Sequence, residues 1–246
     1  MWVQAESLRG RDRRVNEDAF MITLESGKDL SEQQGLLAVA DGMGGGAFGE
    51  VASSLSVTRL NTVFLEEIRS NHNFPEIYDS IFTVLREVNN SIINMAGEKG
   101  VPWIGTTLAS LLFIGRKGLA LNIGDSRVYI VDEGGNIILR TRDHSVAQEL
   151  VDSGDLSYEE LRGDWRRNQL TRALGIDAEL EPDSYEMDIL PGYSAFICTD
   201  GLWENVLDEE IALILPEGSD PIIELMKLAL QRGSGDDMTA IAVRFH

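Results

Sequence analysis

The order of apolar and polar positions along the chain divides it into strand-like and helix-like stretches. Leu36 to Ala40 is an unbroken apolar run and predicts a buried strand. It stops at Asp41. Gly42, Gly44, Gly45, Gly46 and Gly49 follow, so the backbone can turn sharply there and approach a ligand closely. From Glu50 to Ser70 the period becomes helical, with Val57, Leu60, Phe64 and Ile68 on one face. Pro75 opens a second helix, whose stripe is Ile77, Ile81, Val84, Leu85, Val88, Ile92 and Met95. Both stripes predict core-facing helices with no ligand role. Short β-rich runs at 105–114, 118–123, 127–131 and 137–140 are separated by glycine or charged turns and predict a meander of antiparallel strands.

The ends of the chain follow the same logic. Residues 1–24 predict two strands around a polar loop at 9–18. Strands at 184–190 and 194–199 come later, and the second ends at Asp200-Gly201, repeating the Asp41-Gly42 pattern. Helices are expected at 208–215 and 221–231, and Asp236-Asp237 precedes a last strand. Residues 141–182 differ in kind. They are polar, carry Asp143, His144, Arg162, Arg166, Arg167 and Arg172, and predict short helices and loops that form a flap over one side of the fold and contact substrate. His144 reads as structural. No repeat and no linker interrupts the chain, so residues 1–246 are expected to form a single domain.

Composition narrows the classes. With 43% hydrophobic residues the chain can bury a large core. No apolar run approaches the ~20 residues that span a bilayer, and the first residues lack the basic-then-apolar order of a signal peptide. The single Cys198 cannot form an internal disulfide, which fits a cytoplasmic protein, and its apolar neighbours mark it as a small core residue. A formal charge of −20 argues against nucleic-acid binding. The acidity has two readings: solubility alone, or a cluster of carboxylates balanced by bound cations.

Acids flank the predicted strands beside glycine or polar turns: Glu17, Asp18, Asp41, Asp125, Asp200, Asp236 and Asp237. If the fold brings them together, the result is an all-oxygen site suited to Mg²⁺ or Mn²⁺ rather than Zn²⁺. Such a site can hold two cations roughly 4 Å apart and activate a water for in-line attack on a phosphate ester. Arg9, Arg11, Arg13 and Arg14 lie within the 9–18 loop. Taken alone, the loop reads as a solvated hairpin with local ion pairs; the sharper reading is that one arginine clamps an anion. A competing motif exists, because Gly44 to Gly49 matches G-x-G-x-x-G and would suit a dinucleotide enzyme. Against it, Glu66 and Glu67 fall inside a helical pattern instead of ending a second strand, and the later strands follow one another without helices between them. An acidic scaffold without chemistry is a third reading, and it leaves the repeated Asp-Gly unexplained.

Taken together in order, these segments resemble the metal-dependent protein phosphatases, the type 2C Ser/Thr phosphatases, in their bacterial form. Arg13 to Asp18 resembles the R-x-x-N-E-D opening, Asp41 to Gly45 the D-G-M-G-G motif, and Gly49 to Ser53 its helix start. Gly105-Thr106-Thr107, Gly124 to Arg127, Asp143-His144-Ser145, Leu170 to Gly175, Thr199 to Trp203 and Asp236 to Thr239 complete the series. Each is weak by itself; the ordered set covers nearly the whole chain and is specific.

The resemblance implies a four-layer α-β-β-α sandwich, two antiparallel sheets between helical layers, with metals at one end. It implies that Asp41 bridges two Mn²⁺ or Mg²⁺ ions, that Glu17 and the Gly42 carbonyl help hold one, and that Asp200 and Asp236 hold the other. Asp18 would orient waters from behind. Asp125 would join Asp200 at a third ion, as in many bacterial members. Arg13 would bind the substrate phosphate, which reverses the solvated reading for that residue and leaves it for Arg9, Arg11 and Arg14. The implied activity is hydrolysis of phosphoserine and phosphothreonine in proteins by a cytoplasmic monomer that opposes a bacterial Ser/Thr kinase. Three positions depart from the pattern: Gly46 replaces a histidine, Met43 stands where the eukaryotic form has a histidine proposed as general acid, and Asp237 replaces an asparagine.

Overall fold

The computed structural model describes residues 1–11, 13–44, 48–71 and 73–246. Its strands are β1 (Trp2–Leu8), β2 (Asp18–Glu25), β3 (Gln34–Gly44), β4 (Ile104–Thr106), β5 (Leu108–Ile114), β6 (Lys117–Ile123), β7 (Arg127–Val131), β8 (Ile137–Arg140), β9 (Asp183–Asp188), β10 (Ser194–Cys198) and β11 (Met238–Arg244). The helices are α1 (Gly49–Val63), α2 (Phe74–Lys99), α3 (Val146–Ser153), α4 (Tyr158–Leu161), α5 (Asp200–Trp203), α6 (Asp208–Glu217) and α7 (Pro221–Gln231). One sheet runs β1-β11-β10-β7-β8. The other runs β2-β3-β5-β6-β9, with β4 paired to β3.

The uninterrupted apolar runs are explained by what lies on each side of these strands. Leu37 and Val39 of β3 point one way and pack with Ala109, Leu111 and Phe113 against Val128, Ile130, Ile197, Ile241 and Val243 of the facing sheet. Leu36, Ala38 and Ala40 point the other way, onto Val57, Leu60 and Phe64 of the first helical layer and Ile81, Leu85, Val88 and Ile92 of α2. Tyr129, Phe196, Cys198 and Ala240 do the same on the far sheet, against Ile211, Leu215, Ile222 and Leu225 of α6 and α7. A strand covered on both faces has no solvent face to be polar, so the period-2 signal vanishes and a solid apolar run replaces it. Four layers result, α-β-β-α, as the resemblance implied. Phe113 and Phe245 meet edge-to-face across the two sheets, centroids 5.2 Å apart. Cys198 is a buried core residue, as expected, and burial pushes its thiol up.

Two expectations need correction. The runs at 105–140 are antiparallel but not one meander. β5 and β6 pair in one sheet, whereas β7 and β8 pair in the other. The chain changes sheets at Gly124–Ser126, where Gly124 adopts φ +99°, open to glycine and strained for other residues. The run at 105–114 also breaks at Thr107, whose amide donates to the Asp41 carbonyl at 2.9 Å and whose hydroxyl accepts from the Asp41 amide at 2.9 Å. The dinucleotide reading fails here as well: β2, β3, β5 and β6 pair antiparallel throughout, with no parallel βαβ unit. Among the described residues no helix is long and apolar enough to cross a membrane.

One buried charge pair ties the 141–182 segment to the far sheet. Arg127 has no exposed surface and makes two bonds to Asp143, Nε to Oδ1 at 2.8 Å and Nη2 to Oδ2 at 2.6 Å. Breaking such a pair leaves a buried charge without its partner. Asp143→Asn is therefore expected to cost about 3–5 kcal/mol of stability, measured by denaturant titration. A loss below the range typical of surface substitutions would contradict this account.

Candidate metal centre

Register brings the distant acids to one end of the sandwich. Asp18 at the start of β2 is the direct cross-strand partner of Asp41 near the end of β3. In the facing sheet Cys198 pairs with Ala240 on one side and Arg127 on the other. That alignment places Asp200 just past β10, Asp236 and Asp237 just before β11, and Asp125 just before β7, all at the same edge. Glu17, Asp41, Asp125, Asp200 and Asp236 line one cleft of about 240 Å³, with Arg13 beside them. The Gly42 backbone lines it too.

Close backbone approaches hold the walls. A Cβ on Gly42 would collide with the Gly49 carbonyl oxygen, and one on Gly201 with the Asp237 carbonyl oxygen. The Gly42 amide donates to the Glu17 carbonyl at 3.0 Å, and the Ser53 hydroxyl donates to the same oxygen at 2.6 Å. The start of α1 thereby fixes the peptide of Glu17. Asp18 crosses between the sheets, with its Oδ2 accepting from the Thr199 hydroxyl at 2.8 Å.

The electrostatics are those of carboxylates crowded together out of water. Burial, then the charges of Asp18, Asp200 and Asp125, push Asp41 well above the usual carboxylate range. Burial, then Asp200, does the same to Asp125. Asp200 is pushed up to about 7 by burial and by Glu204 and Asp236. Asp18 is pushed up to about 8, chiefly by burial. Glu17 is raised by burial against the opposing pull of Arg13. Arg13 bonds Asp236 at 2.6 Å and lies 3.7 Å from Glu17. It is half-exposed at the rim of the cleft, and its bond to Asp236 raises its own pKa.

The donor set fits a hard cation. All the side-chain donors are oxygen, and the Asp18 and Asp200 Oδ1 atoms are buried with no hydrogen-bond partner. The acids share a cleft rather than a finished coordination sphere: among the described residues no three acids, histidines or cysteines form an assembled cluster.

Asp237 resolves differently from an ordinary extra charge. Its Oδ1 accepts from the Gly10 amide at 2.7 Å and its Oδ2 from the Glu17 amide at 2.9 Å. An asparagine has one carbonyl oxygen for these two donors. The carboxylate thus ties both ends of the arginine loop, and its charge is spent on backbone N–H groups. Met43 lines the cleft, and a thioether carries no proton to give a leaving group. His144 is buried, accepts at Nδ1 from the Gly124 amide at 3.2 Å, and lies 3.2 Å from Asp183 at Nε2. Burial lowers its pKa, so it is neutral, in keeping with the structural reading. Gly46 lies outside the described residues.

Sequence reasoning gave no role to Asn168 and Leu170, which reach the cleft from the 141–182 segment, nor to Thr107 and Ser53, which bond the Asp41 and Glu17 peptides. A small hydroxyl residue packed against a strand-end acid carries no periodic signal. Position within the quoted motifs was the one available clue.

An α-β-β-α sandwich with an acid-lined cleft at its end defines the class of metal-dependent protein phosphatases. Residues 9–238 match the protein phosphatase 2C family, and the chain belongs to it. The serine/threonine phosphatase Stp of Listeria monocytogenes is 31% identical over 96% of this chain and 92% of its own length. PppA, a regulatory component of the type VI secretion system in Pseudomonas aeruginosa, superposes with a TM-score of 0.82 at 34% identity, covering 99% of this chain and 96% of PppA. The catalytic domain of the phosphatase PstP, solved in complex with two manganese ions, gives 0.81 at 32% identity, covering all of this chain and 98% of that domain. The chain is a metal-dependent protein serine/threonine phosphatase, a phosphoric monoester hydrolase acting on phosphoproteins.

Proposed function

We propose that the cleft holds two Mn²⁺ or Mg²⁺ ions, with Asp41 between them, Glu17 and the Gly42 carbonyl on one side and Asp200 and Asp236 on the other. Asp125 and Asp200 would hold a third. The convergence of five acids on one cleft carries this reading, and the manganese-bound PstP domain supports the count. When bound, the ions supply an activated water and withdraw charge from the phosphorus. Asp41 would be held in place to ligate them, because its peptide is bonded by Thr107 on both sides. Asp18 accepts from Thr199 and has its second oxygen free to orient water. Arg13 leaves Asp236 to take the phosphate, since its planar fork suits two phosphate oxygens. Met43 has no proton to donate, so the leaving alkoxide takes its proton from water or from another group. The enzyme works as a cytoplasmic monomer and reverses a bacterial Ser/Thr kinase.

Turnover of an aryl phosphate with Mn²⁺, and its loss in chelator, tests the reading; activity surviving chelation would overturn it. Arg13→Ala is expected to raise KM more than it lowers kcat, because the clamp also grips the ground-state phosphate. An unchanged KM would remove Arg13 from the role. Residues 141–182 act as a flap that selects substrate, supported by Asn168 and Leu170 at the cleft. Exchanging that segment for a relative's is expected to change the ranking of phosphopeptides while leaving aryl phosphate turnover within a few-fold.

A further inference from the structure

Trp203 is one of the largest fully buried side chains, and its polar handle is spent on the turn that carries Asp125. Its indole N–H donates to the Asp125 carbonyl at 2.9 Å. The Arg127 guanidinium lies over its ring at 3.4 Å, itself locked by the two bonds to Asp143. Its carbonyl accepts from Arg162 of the flap, and Arg162 also bonds Asp208 at 2.6 Å. Trp203 closes α5, the short turn that begins at Asp200. The residue therefore joins two of the cleft acids that come from different strands: it shares a rigid turn with Asp200 and grips the peptide of Asp125. The preceding Gly124 is at φ +99° and the Asn122 amide donates to its carbonyl at 3.1 Å, so the turn is held on both sides of its bend.

We propose that Trp203 is a positioning residue, whose indole N–H sets the Asp125 carboxylate against Asp200 and so governs cation affinity at the site those two acids share. The proposal rests on the reading of the cleft as a metal centre. The ring gives packing, which phenylalanine preserves; the N–H gives position, which phenylalanine removes. Because one neutral hydrogen bond is at stake, the effect on affinity is roughly threefold to tenfold.

The test is Mn²⁺ binding by calorimetry to wild type, Trp203→Phe, Asp125→Asn and the double variant. Asp125→Asn is expected to remove one class of site. Trp203→Phe should weaken that class alone by the stated factor, and in the double variant it should add nothing. Unchanged affinity in Trp203→Phe, a uniform weakening of every site, or an additive effect in the double variant would each overturn the proposal. A wild type that binds no Mn²⁺ would sink the metal-centre reading itself. Should Trp203→Phe fail to fold, the wild type still decides. Its Trp203 indole ¹H–¹⁵N resonance should move during a Mg²⁺ titration, and the part of that movement due to the site shared with Asp125 should be missing in Asp125→Asn; a wild-type resonance indifferent to Mg²⁺, or a titration identical in Asp125→Asn, refutes the inference.

Discussion

Asp41→Asn should lower aryl phosphate turnover by roughly a thousandfold or more while leaving the metal-free protein at least as stable as wild type. Removing one pre-placed electrostatic group from a reacting centre costs about 10²–10³ in kcat, and Asp41 is asked to hold two ions at once. The stability half of the expectation follows from the same crowding. Asp41 is buried beside Asp18, Asp200 and Asp125, which push its pKa far above that of an exposed aspartate. An amide in that place has no charge to desolvate and no proton to hold. Sites that do chemistry are often destabilising for this reason. Asp200→Asn should behave alike. Steady-state kinetics and thermal unfolding in chelator measure both halves. Retained activity would remove Asp41 from the centre; a large loss of stability would show that its carboxylate is a structural anchor instead.

A second large effect is the pH dependence of the metal-free fold. Asp200 and Asp18 start near 3.8 in the unfolded chain and reach about 7 and about 8 in the folded one. Between those limits the unfolded chain has released protons that the folded chain keeps, so stability falls as pH rises. Each pKa unit is worth about 1.4 kcal/mol, so between pH 5 and its folded value of about 7 Asp200 alone loses on the order of 3 kcal/mol. In chelator the midpoint of thermal unfolding should therefore drop by roughly 10 °C from pH 5 to pH 8. His144 acts in the opposite sense, because a lowered imidazole pKa gains stability as pH rises toward 6.5. It is one group against several. Below about pH 4 the slope reverses, since Asp208, held low against its burial by Arg127, Tyr158 and Arg162, must then be protonated. Saturating Mn²⁺ should flatten the decline above pH 5, because bound cations favour the ionised carboxylates. A metal-free protein equally stable at pH 5 and pH 8 would refute the crowded-acid account.

Much of this was legible in the residues. Leu36 to Ala40 marked a strand covered on both faces, and the stripe from Ile77 to Met95 marked a helix on the core. The glycines after Asp41 and Asp200 marked close backbone passages, and Gly42 and Gly201 turn out to leave no room for a Cβ. These are local properties: period, chain flexibility and the type of atom offered to a ligand. The phosphate role proposed for Arg13 rests on the ordered motifs, because a loop rich in arginine looks the same whether it binds an anion or water.

What the chain order could not fix was which sheet each strand joins and which acids meet. The meander reading of 105–140 went astray at Gly124, where a single positive φ sends the next hairpin into the facing sheet. Nothing in the alternation of side chains records that turn, since strands of both sheets are equally apolar. The two oxygens of Asp237 on Gly10 and Glu17, and the indole of Trp203 on Asp125, are likewise contacts across more than seventy residues of chain. The sequence by itself determined the elements, the hard-oxygen character of the site and the family resemblance. The tertiary structure alone decided the convergence, because cross-strand register, and not nearness in the chain, sets the distance between charges that must share one cleft.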